Sequence, residues 1–234
     1  MIYLVGIGLG SSADYLTLKA YRILKSADVG VYIGTMIEQE IKELFHSKQL
    51  YVGKELTIEM VKTFINKAQN NHQNLALMLP GDVPYYTGQV NEQFCLGDWV
   101  DWLTKNDIQF EVVSGISAFT ALVSKLGVDV VQFSNNQNIY TTSIERLKEL
   151  NKFDAEHFEM VLSTKPNLVL YQSYREWNKI KSLIDKYYDD SARIIFAYKI
   201  SYPDEIIIDT NLGNSERDLA DKKIDKHTLI LIIS

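Results

Sequence analysis

Cysteine is almost absent. The 234-residue chain has one, Cys95, which cannot form an internal disulfide, so a disulfide-stapled scaffold is excluded. The four histidines, His46, His72, His157 and His227, lie far apart and show neither H-E-x-x-H nor Cys/His spacing, so no recognisable zinc site is present. An excess of positive charge is missing too: 24 Lys plus Arg against 30 Asp plus Glu leave a net charge of −6, which disfavours non-specific binding to nucleic acid or anionic membrane. No apolar run approaches the roughly 18 residues needed to span a bilayer. The start M-I-Y-L-V-G carries its first positive side chain at Lys19 and lacks the basic opening of a secretory signal. A soluble cytoplasmic protein is expected, with neither nucleic acid nor membrane as partner.

What is present is ordinary globular composition, 46% hydrophobic and 23% charged, which argues against disorder and low-complexity architecture. Residues 2–6 are apolar and β-branched and break into Gly6, Gly8 and Gly10 before a helical pattern at Leu16, Ala20, Ile23, Leu24 and Ala27. Further strands are expected at 29–33, 75–79 and 110–113, with helices at 37–45, around Ile58, Val61, Ile65 and Ala68, and along Val90, Phe94, Trp99 and Leu103. Strands separated by helix-length segments imply crossovers and a largely parallel sheet. After Val113 the pattern changes to a helix at 118–126, extended segments near 128–133 and 138–141, and strands at 168–171, 193–198, 206–208 and 229–233, the last two spaced as in a mixed or antiparallel sheet. Thr142 with Glu145, and Ser173 with Glu176, match the capping box at a helix start. The expected architecture is α/β with two lobes, 1–113 and 114–234.

Three segments invite chemistry. The Gly6-Gly8-Gly10 loop stands where strand-to-helix turns bring backbone amides to a ligand, or merely make a tight turn. The dinucleotide fingerprint fails, because Ser11 occupies its last glycine and no acid follows the strand at 33–35. Pro80-Gly81-Asp82-Val83-Pro84-Tyr85-Tyr86-Thr87-Gly88 follows the best-defined strand, on the carboxyl edge where open α/β sheets bind ligands; a turn capped by Asp82 is the competing account. Ser114-Gly115-Ile116-Ser117-Ala118 only superficially resembles a nucleophile elbow, since Phe119 stands where glycine is required, so Ser117 reads as a helix cap or ligand contact. The histidines read as solvated surface, Asp189 and Asp190 as a turn, and Trp99 with Trp102 as core.

In order along the chain, L-V-G-I-G-L-G, then L-T-L-K-A-Y-R-I-L-K-S-A-D-V, P-G-D-V-P-Y-Y-T-G, E-V-V-S-G-I-S-A-F-T-A-L and A-Y-K-I-S-Y-P-D-E resemble the tetrapyrrole (corrin/porphyrin) methylases, nearly end to end. Tyr202-Pro203-Asp204-Glu205 is most similar to the precorrin-4 C11-methyltransferase branch of cobalamin biosynthesis. The resemblance implies a homodimer of two-lobed chains with a ligand cleft between an N-terminal mostly parallel sheet and a C-terminal mixed sheet. It also implies S-adenosyl-L-methionine as cofactor and an anionic tetrapyrrole as substrate. Carried over residue by residue, the cofactor contacts fall at Leu9, Gly81, Asp82, Tyr85, Ser117, Ala118, Gln172, Ile200 and Thr228, with no metal and no residue marked as general base. Asp82 is expected to position the cationic cofactor, and Arg22 and Lys199 to meet substrate carboxylates. Leu9, Ser11, Val83 and Ser114 depart from the family's usual proline, aspartate, proline and proline. Backbone-mediated cofactor contacts tolerate such changes, whereas loss of the acid at position 11 bears on which macrocycle is accepted. A methyltransferase acting on a non-tetrapyrrole substrate, or a binding or regulatory protein that retains the scaffold without turnover, are the alternative readings.

Overall fold

A computed structural model describes residues 1–34, 36–45, 48–85, 95–130, 137–149, 152–225 and 227–234. The chain forms two compact units, Met1–Ala118 and Phe119–Ser234. The first unit contains β1 (Ile2–Gly6), α1 (Leu18–Ser26), β2 (Val29–Ile33), α2 (Gln39–Glu43), β3 (Gln49–Gly53), α3 (Ile58–Asn70), β4 (Leu75–Leu79), α4 (Leu96–Lys105) and β5 (Phe110–Val113). Helix α5 (Ala118–Leu126) follows. The second unit continues through β6 (Ile139–Thr142), α6 (Ile144–Glu149), α7 (Ala155–Ser163), β7 (Asn167–Leu170), α8 (Trp177–Ile184), β8 (Arg193–Tyr198), β9 (Ile206–Asn211), α9 (Ser215–Leu219) and β10 (Thr228–Ile233).

The first sheet runs β3-β2-β4-β1-β5 with every pairing parallel. Strands β2 and β4 are buried at all five positions, as a parallel sheet covered on both faces requires. Their side chains divide by alternation: Leu75, Leu77 and Leu79 pack with Ile58, Val61 and Ile65 of α3 and Trp99 of α4, while Ala76 and Met78 pack with Ala20 and Leu24 of α1 and Ile41 of α2. The second sheet, β6-β7-β10-β8-β9, is mixed: β6 and β7 are parallel, and the other neighbours are antiparallel. Leu168, Phe196, Ile230 and Ile232 form its core with Phe158 and Leu162 of α7 and Trp177 and Ile184 of α8. Trp177 meets Phe196 edge to face at 5.0 Å. The expected α/β class, parallel first sheet and mixed second sheet are all found.

Several local expectations are corrected. The edge strand β3 and the helix α7 stand where the sequence reading places no element. Helix α2 is shorter than 37–45, and α4 begins after Cys95, whose N–H donates to Asp98 Oδ2 at 2.7 Å; Val90 and Phe94 lie outside the described residues. Trp99 and Trp102 are core, as read from their spacing, and meet edge to face at 6.3 Å. Residues 128–130 form no strand, and 131–133 lie outside the described residues. The Ser173–Glu176 capping box does not form. Thr142 ends β6, and the helix beyond it opens at Ile144. Ser173 is fully buried, and its hydroxyl donates to the Tyr171 carbonyl at 2.9 Å and accepts the Ile144 N–H at 3.0 Å, so it serves the N-terminus of α6 rather than its own turn. Glu176 turns instead to Lys148 of α6, with Lys179 at 3.4 Å.

Two outcomes test these tertiary substitutes for local caps. Ser173→Ala strands the Ile144 amide in the core and lowers unfolding free energy by about 1–3 kcal/mol in urea denaturation; an effect within about 0.5 kcal/mol contradicts the bridge. The Glu176 carboxyl is lowered from its ordinary value of 4.5, mainly by the Lys148 hydrogen bond against the opposing pull of burial. A carboxyl lowered in the folded state contributes stability that is complete above that ordinary value and is lost as pH falls through the lowered one. Lys148→Met therefore flattens the fall in urea midpoint between about pH 6 and about pH 3, and an unchanged slope contradicts the pairing.

Candidate functional site

Because β4, β1 and β5 are adjacent and parallel, the loops leaving their carboxyl ends emerge side by side, the usual location of ligand sites in open α/β sheets. Here those loops interlock. The Gly8 N–H donates to the Gly81 carbonyl at 3.1 Å and the Gly81 N–H donates back to the Gly8 carbonyl at 2.6 Å. Asp82 Oδ1 accepts the Gly115 N–H at 2.9 Å, binding the β4 loop to the β5 loop. Thr17, which caps α1, donates through its hydroxyl to the Ser114 carbonyl at 3.2 Å.

Glycine is required at the crossing for steric reasons. A Cβ on Gly6 would lie 2.5 Å from the Gly115 nitrogen, and one on Gly115 would lie 2.1 Å from the Gly81 oxygen. Gly81 differs: its φ is +72°, yet a Cβ there would meet no atom of the described residues within 4 Å. Among the described residues the crossing is closed beneath Gly81 and open at it. In the first loop, Leu9 lies between Gly8 and Gly10, both at positive φ, and the Ser11 hydroxyl is buried without a hydrogen-bond partner among the described residues.

The remaining expected positions divide between two places. Tyr85 closes the short 3-10 turn Val83–Tyr85, its ring lying outside the described atoms, while Ser117 is buried just before α5 and Ala118 opens that helix. Gln172, Ile200 and Thr228 belong to the second unit. Since β10 runs antiparallel to β7 and β8, the ends of β7 and β8 and the start of β10 share one sheet edge. Gln172 is exposed with φ +45° just beyond β7; Ile200 is buried after β8; Thr228 is buried opposite Tyr198, and its hydroxyl donates to the Asp225 carbonyl at 2.7 Å. Asp225 Oδ1 also accepts the His227 N–H and lies 2.8 Å from its Nδ1. Burial pushes the Asp225 carboxyl up, but the His227 backbone and ring outweigh it and the net direction is down.

Of the two expected substrate cations, Arg22 is exposed on α1, whereas Lys199 is paired with Asp204, a hydrogen bond that raises its ammonium above the ordinary range.

Residues 1–215 match the family described as Tetrapyrrole (Corrin/Porphyrin) Methylases. The chain belongs to the tetrapyrrole methylases. It is accordingly a methyltransferase of a family whose methyl donor is S-adenosyl-L-methionine. The methylase is 23% identical to the cobalt-precorrin-4 C(11)-methyltransferase of Methanocaldococcus jannaschii, over 99% of its own length and 86% of that relative's. It is 25% identical to the siroheme synthase of Pseudoalteromonas atlantica, over 99% of itself and 49% of that protein. Its fold is similar to the X-ray structure of a cobalt precorrin-4 methyltransferase, with TM-score 0.83, 17% identity and coverage of 99% and 93% of the two chains. It is also similar to uroporphyrin-III C-methyl transferase from Thermus thermophilus complexed with S-adenosyl homocysteine, with TM-score 0.75, 21% identity and coverage of 100% and 97%.

Residue type alone did not mark Gly6 and Gly115 of the methylase as the packing centre of these loops. Their glycines were visible in the sequence, but the mutual approach is tertiary. The two kinds of glycine respond differently to one added methyl. Gly115→Ala forces the loops apart and destabilises by about 1–3 kcal/mol, as overpacking does, whereas Gly81→Ala meets open space and loses only the roughly 1 kcal/mol of its left-handed backbone. Equal losses in denaturant titration contradict this division.

Proposed function

We propose that the protein transfers a methyl group from S-adenosyl-L-methionine to a ring carbon of an anionic tetrapyrrole, with C11 of precorrin-4 or cobalt-precorrin-4 as the target. The observation that carries this reading is the crossing of the β1, β4 and β5 loops, packed too tightly for any side chain at Gly6 and Gly115 but open, among the described residues, at Gly81. That opening suits a ligand held against main-chain atoms, the mode the family resemblance implies, and it tolerates the departures at Leu9 and Val83 because backbone geometry rather than those side chains forms the contact. The precorrin-4 assignment is supported by similarity to C11-methyltransferases and by Tyr202-Pro203-Asp204-Glu205. The reading includes a cytoplasmic homodimer.

The donor supplies an electrophilic sulfonium methyl group. The chain's own contribution is geometric and electrostatic. Leu9, Gly81, Tyr85, Ser117 and Ala118 would contact the donor at the first sheet's edge, and Gln172, Ile200 and Thr228 from the second. Holding reactants at about 3–3.5 Å in alignment supplies several kcal/mol of the barrier reduction. Asp82 has two duties. One oxygen fixes the Gly115 turn at 2.9 Å, and the carboxylate charge favours a nearby cation, by about 4 kcal/mol at roughly 4 Å and an effective dielectric near 20 before desolvation.

Calorimetric titration with S-adenosylhomocysteine tests this directly. Wild type binds, and Asp82→Ala binds about tenfold more weakly because the Gly115 amide loses its charged acceptor. Incubation with precorrin-4 and S-adenosylmethionine adds one methyl by mass. Absence of heat with the homocysteine product contradicts the donor site; heat without macrocycle methylation contradicts the precorrin-4 assignment.

A further inference from the structure

Tyr202-Pro203-Asp204-Glu205 lies beside the proposed donor contacts without supplying one of them. Its two carboxylates do different work. Asp204 pairs with Lys199 across the turn. Glu205 Oε2 accepts the Ser201 backbone N–H at 2.5 Å, while Lys125 Nζ reaches both Glu205 oxygens, at 2.6 and 2.8 Å. The backbone in between is strained: Lys199 at φ +46° and Ser201 at φ +68°, neither of them glycine, flank buried Ile200. Non-glycine residues keep such angles only where surrounding interactions over-determine them. Two successive turns add to this, with Tyr202 N–H donating to the Lys199 carbonyl and Glu205 N–H to the Tyr202 carbonyl, each at 3.0 Å.

Lys125 lies in the last turn of α5, the helix that opens at Ala118. One ion pair therefore links the helix following Ser117 to the turn that carries Ile200. We propose that Lys125 and Glu205 are positioning residues for the methyl donor, holding the Ile200 backbone in the conformation that receives it. The inference rests on the donor reading above. Glu205 acts through Ser201 rather than on the donor, because Ser201 and Lys125 already engage both its oxygens. The side chain of Glu205 is 19% exposed and that of Lys125 is 44% exposed, so the pair is only partly screened by solvent.

The test is the affinity of the full chain for S-adenosylhomocysteine, by calorimetry, with thermal midpoints measured in parallel. Lys125→Met weakens binding about fivefold, the upper range for a partly exposed pair. Glu205→Ala weakens it about tenfold or more, since the Ser201 amide also loses its acceptor. The double variant binds no more weakly than Glu205→Ala alone, because the lysine then has nothing to hold. Lys125→Arg restores affinity to within about twofold through a guanidinium that can engage both oxygens. Additive losses, or Lys125→Met binding as wild type does, overturn the proposal while leaving the donor reading intact. Wild type that gives no heat overturns both. If Glu205→Ala does not fold, the Lys125 variants decide.

Discussion

The close approach of Gly115 to Gly6 and Gly81 sets the geometry of everything at the first sheet's carboxyl edge. With 2.1 Å between a Cβ at 115 and the Gly81 oxygen, the three loops occupy a volume that only bare backbone can share. Reciprocal Gly8–Gly81 hydrogen bonds and the Asp82–Gly115 bond then remove the freedom glycine would otherwise confer. A rigid floor of main chain results, and Leu9, Gly81, Asp82, Ser117 and Ala118 are carried on it. The parallel strands beneath, buried on both faces, supply the stiffness that a preorganised binding edge needs.

The second sheet builds its edge by other means. Antiparallel β10 brings its first residue, Thr228, beside the end of β8, and backbone strain at Lys199 and Ser201 is held by side-chain carboxylates instead of glycine. Strain fixed by charged groups responds to substitution at those groups, whereas strain carried by glycine responds to any side chain at all. The two edges therefore differ in what they tolerate.

Much of the fold was legible because burial on both faces writes continuous apolar runs such as Val29–Ile33 and Leu75–Leu79. Strand β3 was not, since Gln49–Gly53 is a half-exposed edge with no alternating pattern, and α7 commits only Phe158 and Leu162 to the core. The capping box at Ser173 misled because local spacing cannot show that Ser173 serves an amide 29 residues away. The loops bearing the candidate site were visible as glycine, proline and aspartate at strand ends. Their interlocking was not, because the Asp82–Gly115 bond spans 33 residues and exists only once β1 lies between β4 and β5.

The central claim is that the glycine crossing of the β1, β4 and β5 loops forms a seat for the methyl donor. A crystal structure of the protein with S-adenosylhomocysteine tests it most directly. The account predicts the nucleoside against the main chain of Gly81 and its neighbouring loops, with the Asp82–Gly115 bond intact. Density for the product elsewhere on the chain, or a Gly81 turn filled by the protein's own side chains, would contradict it.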